Sequence, residues 1–105
     1  MKTDRELLEL AAKAGDIKGK WCSRSGAVMI LTCDGLTDRY WNPLEDDGDA
    51  LRLAVALQMD VSIFREHATA YYLNGCCDQI NVHDRLDATR QAITRAAAAI
   101  GEGME

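Results

Sequence analysis

The sequence predicts an α+β domain: a three-layer α/β/α sandwich in which one mixed, mainly antiparallel sheet of about five or six strands is covered by three helices. Three observations carry that expectation. Apolar residues recur at helical spacing in three separated stretches, near both ends of the chain and in its middle. Short segments containing Val, Ile, Tyr and Trp stand between them, divided by Gly, Asn and Asp turn signals. One of these, residues 27–32, is an almost unbroken apolar run, as a central strand covered on both faces would be.

The first helix covers residues 3–14. Thr3 can cap it, and Glu6, three residues on, completes a capping box. Leu7, Leu10, Ala11 and Ala14 make one stripe, widened by Leu8, and Gly15 offers a left-handed stop. Trp21 and Cys22 then lie on a short strand before a turn at residues 23–26. The run at residues 27–32 is the second strand and ends at Cys33-Asp34-Gly35. Residues 40–42 make a third, closed by Pro43.

The second helix begins among Asp46, Asp47 and Asp49, with Asp47 as its N-cap, and runs to Met59. Leu51, Ala54, Val55 and Leu57 leave little polar face beyond Arg52 and Gln58, so the helix is expected to be buried on most sides. Residues 61–65 and 69–73 pair as strands around a turn at residues 66–68, and Asn74-Gly75 makes the next turn. Residues 79–83 alternate, with Ile80 and Val82 inward and Gln79, Asn81 and His83 outward. The last helix covers about residues 84–100, capped by Asp84 or Asp87. Leu86, Ile93, Ala96, Ala97 and Ile100 form its inward stripe, and Gly101 ends it. Four alanines at 96–99 permit close approach of this helix to the sheet.

The 105 residues suit one domain, residues 1–105, and 48% hydrophobic with 28% charged residues belongs to a globular chain. No stretch approaches the ~18 uninterrupted apolar residues of a membrane-spanning helix. The opening run MKTDRELLEL is amphipathic and charged, without an apolar signal core, and the expected location is the cytoplasm. Net charge is −5, from 12 basic against 17 acidic residues. The densest basic group, Lys18, Lys20 and Arg24, is weak and local, which weighs against a nucleic-acid partner. Cys22, Cys33, Cys76 and Cys77 contain no C-x-x-C pair, and free thiols are expected.

Candidate chemistry is sparse. Glu45, Asp46, Asp47 and Asp49 lack the alternating ligand spacing of a calcium loop and read as a dipole-matched helix start. His67 falls in an expected hairpin turn, and the C-C-x5-H spacing from Cys76 to His83 matches no common zinc site. No phosphate-binding glycine loop, G-x-S-x-G or H-E-x-x-H is present. No catalytic residue, cofactor or metal is therefore expected. Adjacent aromatics on a strand face opposite sides, so Tyr40-Trp41 and Tyr71-Tyr72 can each expose a ring. With Asp46, Asp47 and Arg90, the residues Tyr40, Trp41 and Tyr71 form a candidate interaction surface. The competing expectation is that Trp41 packs into the core beside Pro43 and Asp47.

Two blocks carry a family resemblance. Trp41-Asn42-Pro43-Leu44 followed by EDDGDALRLAVALQMDVS resembles a segment of small tailed-phage and prophage proteins, and DRLDATRQAITRAAAAIG looks like their closing helix. The group is the phage ABA sandwich domain family, with the NinX-like phage proteins as distant relatives. The resemblance implies the three-layer fold and a phage or prophage origin, with no assigned activity, cofactor or catalytic residue. The expected function is that of a non-enzymatic accessory protein that binds a host or phage protein in the host cytoplasm, with a homodimer compatible. The alternatives are a small-molecule or nucleotide sequestering protein and an enzyme of unrecognised type.

Overall fold

The computed structural model describes residues 3–17, 19–22, 27–31, 38–72, 75–80 and 84–104. Elements follow in the order α1 (Asp4–Ala14), β1 (Gly19–Cys22), β2 (Ala27–Leu31), β3 (Asp38–Trp41), α2 (Asp47–Ala56), β4 (Asp60–Ile63), β5 (His67–Tyr72), β6 (Gly75–Ile80) and α3 (Arg85–Glu102). The class is α+β. Among the described residues the strands do not form one sheet, however. Each consecutive trio pairs with itself, giving two antiparallel meanders ordered β1-β2-β3 and β4-β5-β6. The physical reason is local: short turns join strands within each trio, whereas α2 separates β3 from β4.

Three-layer coverage also fails for the second meander. Register places Ala70 opposite Val61 and Cys77, and Ala68 opposite Ile63 and Gln79, on one face. Ala68 and Ala70 join Ala88, Ala92 and Ala96 of α3 in the core. The other face carries Asp60, Ser62, Thr69, Tyr71, Cys76 and Asp78. Asp60, Tyr71, Cys76 and Asp78 there are exposed, so helices cover this sheet on one side. Gln79, expected outward, belongs to the inner face and accepts a hydrogen bond from Arg95 Nη1 at 2.8 Å. Residues 81–83 of the expected alternation lie outside the described residues. In the first meander β2 is central, as expected, and Val28 stands between Trp21 and Trp41 in register.

The capping box of α1 is present: Glu6 N–H donates to Thr3 Oγ1 and Thr3 N–H to Glu6 Oε1. Its far end differs from expectation. Gly15 has φ −83°, and the left-handed position is Asp16, with φ 56°. Asp16 N–H donates to Lys13 O and Ile17 N–H to Ala12 O, the paired bonds of a Schellman stop. Gly15 serves a different need, because a Cβ there would stand 2.9 Å from Leu53 Cδ1 of α2. The end of α2 repeats the motif with Gln58 at φ 54°.

Helix α3 is the hub, packing against α1, α2, β5 and β6. Eleven of the fifteen buried apolar residues among those described are alanines, so the core is assembled by close backbone approach more than by large side chains. Ala11 and Ala12 of α1 share the core with Ala96 and Ala97. Gly101 does not end α3; it is buried within it, where a Cβ would overlap the carbonyl oxygen of Leu10. Leu86, placed in the inward stripe by its spacing, is 56% exposed in the first turn. Burial of α2 on most sides is likewise overturned. Ala50, Leu53 and Ala54 are buried, but Leu51 is 63% and Val55 69% exposed, because α2 packs along one stripe only.

Candidate functional site

Four of the six residues singled out from the sequence meet at one corner, where β3 turns into α2. Trp41 ends β3 and is 2% exposed, so its ring belongs to the core. Asn42 Oδ1 accepts the N–H of Leu44 at 3.0 Å, and Asn42 O accepts those of Glu45 and Asp46, folding the chain around buried Pro43. The N-cap of α2 is Asp46, one residue earlier than expected: Asp46 Oδ2 accepts Asp49 N–H at 3.0 Å. Asp47 is instead the first helical residue.

Asp49 is almost fully buried, and its charge is met on both oxygens. Oδ2 accepts Asn42 N–H at 3.0 Å, and Oδ1 accepts Arg52 Nη2 at 2.8 Å. Arg90 of α3 closes the corner from the other side. Its Nε donates to Leu44 O at 3.0 Å, Nη1 binds Asp47, and Nη2 lies 3.6 Å from Asp87 Oδ1. A planar fork satisfied in this way at 16% exposure pins α3 to the turn. The remaining two candidates are elsewhere on the surface. Tyr40 is exposed on β3, and Tyr71 is exposed on the outer face of the second meander. The corner's polar groups hold the turn, the start of α2 and α3 together.

Sequence reasoning missed two surface features. Leu51 and Val55, one turn apart on α2, present apolar side chains to solvent. Their spacing looked like burial, and only their exposure in the folded chain shows otherwise. The other is a cavity of about 550 Å³ between α1, β6 and α3, with Asp4, Leu7, Cys77, Gln79, Arg95 and Glu102 among its lining residues. These positions are scattered from 4 to 102 and share no motif. Burial pushes the Cys77 thiol up from its ordinary value; Arg95 opposes this, while Cys76 and Asp78 add to it. Partial burial and the nearby thiols likewise push Tyr72 up.

Cys76 and Cys77 are free, on opposite faces of β6. Cys33 and the side chain of Cys22 lie outside the described residues, as does His83. His67 opens β5 and stacks on Phe64, with ring centroids 4.5 Å apart. Among the described residues no group of three His, Cys, Asp or Glu side chains is placed to hold a metal, and no helix is long and apolar enough to cross a membrane.

The fold and corner define a small α+β protein built on an alanine-rich helical hub. No family model matches the chain, and neither the curated proteins nor the solved structures give a significant match.

Proposed function

We propose that the chain is a phage or prophage accessory protein that acts in the host cytoplasm by binding a host or phage protein, without catalysing a reaction. One observation carries the reading: Leu51 and Val55 form an apolar row on the solvent face of α2. Solvent-facing apolar side chains at i and i+4 are how a helix presents anchors to a groove. The row sits beside the exposed acidic residues Glu45, Asp46 and Asp47, on a chain of net charge −5. That combination fits a partner surface with an apolar centre and a rim of Lys and Arg.

The test is a paired capture with full-length protein. Leu51→Gln with Val55→Gln keeps helix-forming residues and net charge, so the melting temperature should stay within about 2 °C of the parent. The partner captured from infected-cell lysate by the parent should be lost with the variant and should dissociate as salt rises. Equal capture by both chains would overturn the reading. So would a parent dimer that the two substitutions dissolve, because the face would then belong to a second copy.

A further inference from the structure

The second meander has two edges, and its ladder pattern decides which backbone groups each one presents. Phe64 N–H donates to His67 O at 2.8 Å, so Phe64 and His67 are a hydrogen-bonded pair. Bonded and non-bonded pairs alternate along an antiparallel ladder. Ser62–Thr69 and Asp60–Tyr71 are therefore bonded as well, and the N–H and C=O groups of Val61 and Ile63 point away from β5. Toward its other neighbour β5 turns Ala68, Ala70 and Tyr72, which leaves the N–H and C=O groups of Cys76, Asp78 and Ile80 pointing outward from β6. No described strand pairs with either edge. Such an edge is a template for another strand unless a charge, a proline or a cover blocks it.

The two edges differ in that protection. If β6 met its own copy antiparallel, in the register that uses all its outward residues, Asp78 would stand opposite Asp78 of the second copy. Like charges directly opposed are destabilising, so β6 carries its own block. The edge of β4 has none. Only one self-register uses both of its outward residues, setting Val61 opposite Ile63 of the second copy, Ser62 opposite Ser62 and Asp60 opposite Phe64. Apolar meets apolar there, and the centre is uncharged. The same strand has apolar surface to cover: Ile63 is 61% and Phe64 47% exposed, although Ile63 shares the face on which Ala68 and Ala70 join the core. We propose that β4 pairs antiparallel with β4 of a second copy about a two-fold axis at Ser62, joining the two second meanders into one continuous sheet. The contact is self-complementary, as a two-fold interface requires. With β6 blocked, the pairing closes as a dimer and does not propagate. It uses no residue of the exposed α2 row, so it goes beyond the partner-binding reading and survives that reading's failure.

Sedimentation velocity of the full-length protein should show a monomer–dimer equilibrium whose dimer fraction rises with concentration. Ser62→Lys sets two like charges face to face at the axis and should weaken the dimer by about tenfold or more, with circular dichroism unchanged. Mixing Ser62→Lys with Ser62→Asp should restore association, because opposite charges then face each other. The paired Leu51→Gln and Val55→Gln change should leave the dimer intact. A cross-link fixes the register. The two Ser62 residues fall in a non-bonded position, where opposed Cα atoms are ~4.5 Å apart, whereas the two Asp60 residues are offset by about 14 Å along the strands. Dibromobimane, which bridges adjacent thiols, should link two copies of Ser62→Cys at position 62, read by peptide mass spectrometry. It should not link two copies of Asp60→Cys at position 60. Any of four results would overturn the proposal. They are a chain monomeric at every concentration, which would leave the edge to a strand of another protein; a dimer untouched by Ser62→Lys; a dimer dissolved by the α2 substitutions; and links at position 60 in place of 62.

Discussion

The seam between α1 and α3 and the corner from Trp41 into α2 use similar residues and stand in opposite relations to water. At the seam, Leu8, Ala11 and Ala12 share a closed core with Ala96 and Ala97, and Gly101 lets α3 touch the α1 backbone. Helix α2 is just as rich in apolar residues, yet it buries Ala50, Leu53 and Ala54 and leaves Leu51 and Val55 in solvent. Apolar content sets how much surface a helix could bury. The number of neighbours sets how much it does. Helix α1 lies along the hub of the fold, and α2 lies against it on one side, so identical residue types meet different surroundings.

The largest expected effect falls at the buried end of the corner. Trp41→Ala should lower unfolding stability by about 3–5 kcal/mol in denaturant titrations. A loss near zero would take the ring out of the core and turn the corner into an exposed anchor. The sharpest contrast comes from one substitution made twice. Leu8→Ala removes a fully buried side chain and should cost about 2–5 kcal/mol. Leu51→Ala should change stability by less than about 0.5 kcal/mol, because that side chain has little packing to lose. Equal losses at the two sites would erase the difference between the regions.

Gly101→Ala probes the seam with a single added methyl. Helix propensity alone would favour alanine by about 1 kcal/mol, whereas overlap with the Leu10 carbonyl should cost about 1–3 kcal/mol or more. A backbone atom has little room to yield, so the expected net result is a lower melting temperature; a higher one would show that the helices are not in close contact.

A smaller effect separates two neighbouring acids at the corner. Asp46→Ala loses the N-cap and should cost about 0.5–2 kcal/mol. Asp47→Ala loses a partly exposed pair with Arg90 and should cost less than about 1 kcal/mol. The reverse ranking would restore Asp47 as the cap. The smallest effect is a pH dependence. Cys77 is raised in the folded state, so its contribution is complete below the ordinary thiol pKa and is lost as pH rises through the raised value. Tyr72 acts with the same sign. Melting temperature should therefore decline on the alkaline side, less steeply in Cys77→Ala; an unchanged slope would place the thiol in water.

What could be read from the sequence shares one property: the atoms involved lie within a few residues of each other. The Thr3–Glu6 capping box, the Asp84 cap of α3 and the turn at Pro43 depend on side chains reaching backbone groups two or three positions away. Even there, a shift of one residue from Asp47 to Asp46, or from Gly15 to Asp16, was beyond pattern alone. Adjacent aspartates offer nearly equal chemistry at the start of α2, and at the end of α1 Gly15 is held close to Leu53 while the positive φ falls on Asp16. The alternation from Gln79 onward suggests the opposite facing, but β6 starts at Gly75 and Cys77 lies on the inner face, which brings Gln79 inward.

The helical stretches, the α+β class and the absence of a long apolar span were determined by the sequence itself, because periodicity and capping are local physics. Only the tertiary structure decided that the described strands close into two meanders, that Leu51 and Val55 are surface, and that Gly101 is a contact rather than a stop. It also brought Arg90 to Leu44 across 46 residues, and Arg95 to Gln79 at the cavity. Such contacts depend on which faces meet after the chain has folded. Composition and spacing describe what each face offers, but the partner that meets it, or leaves it in water, is set by distant residues.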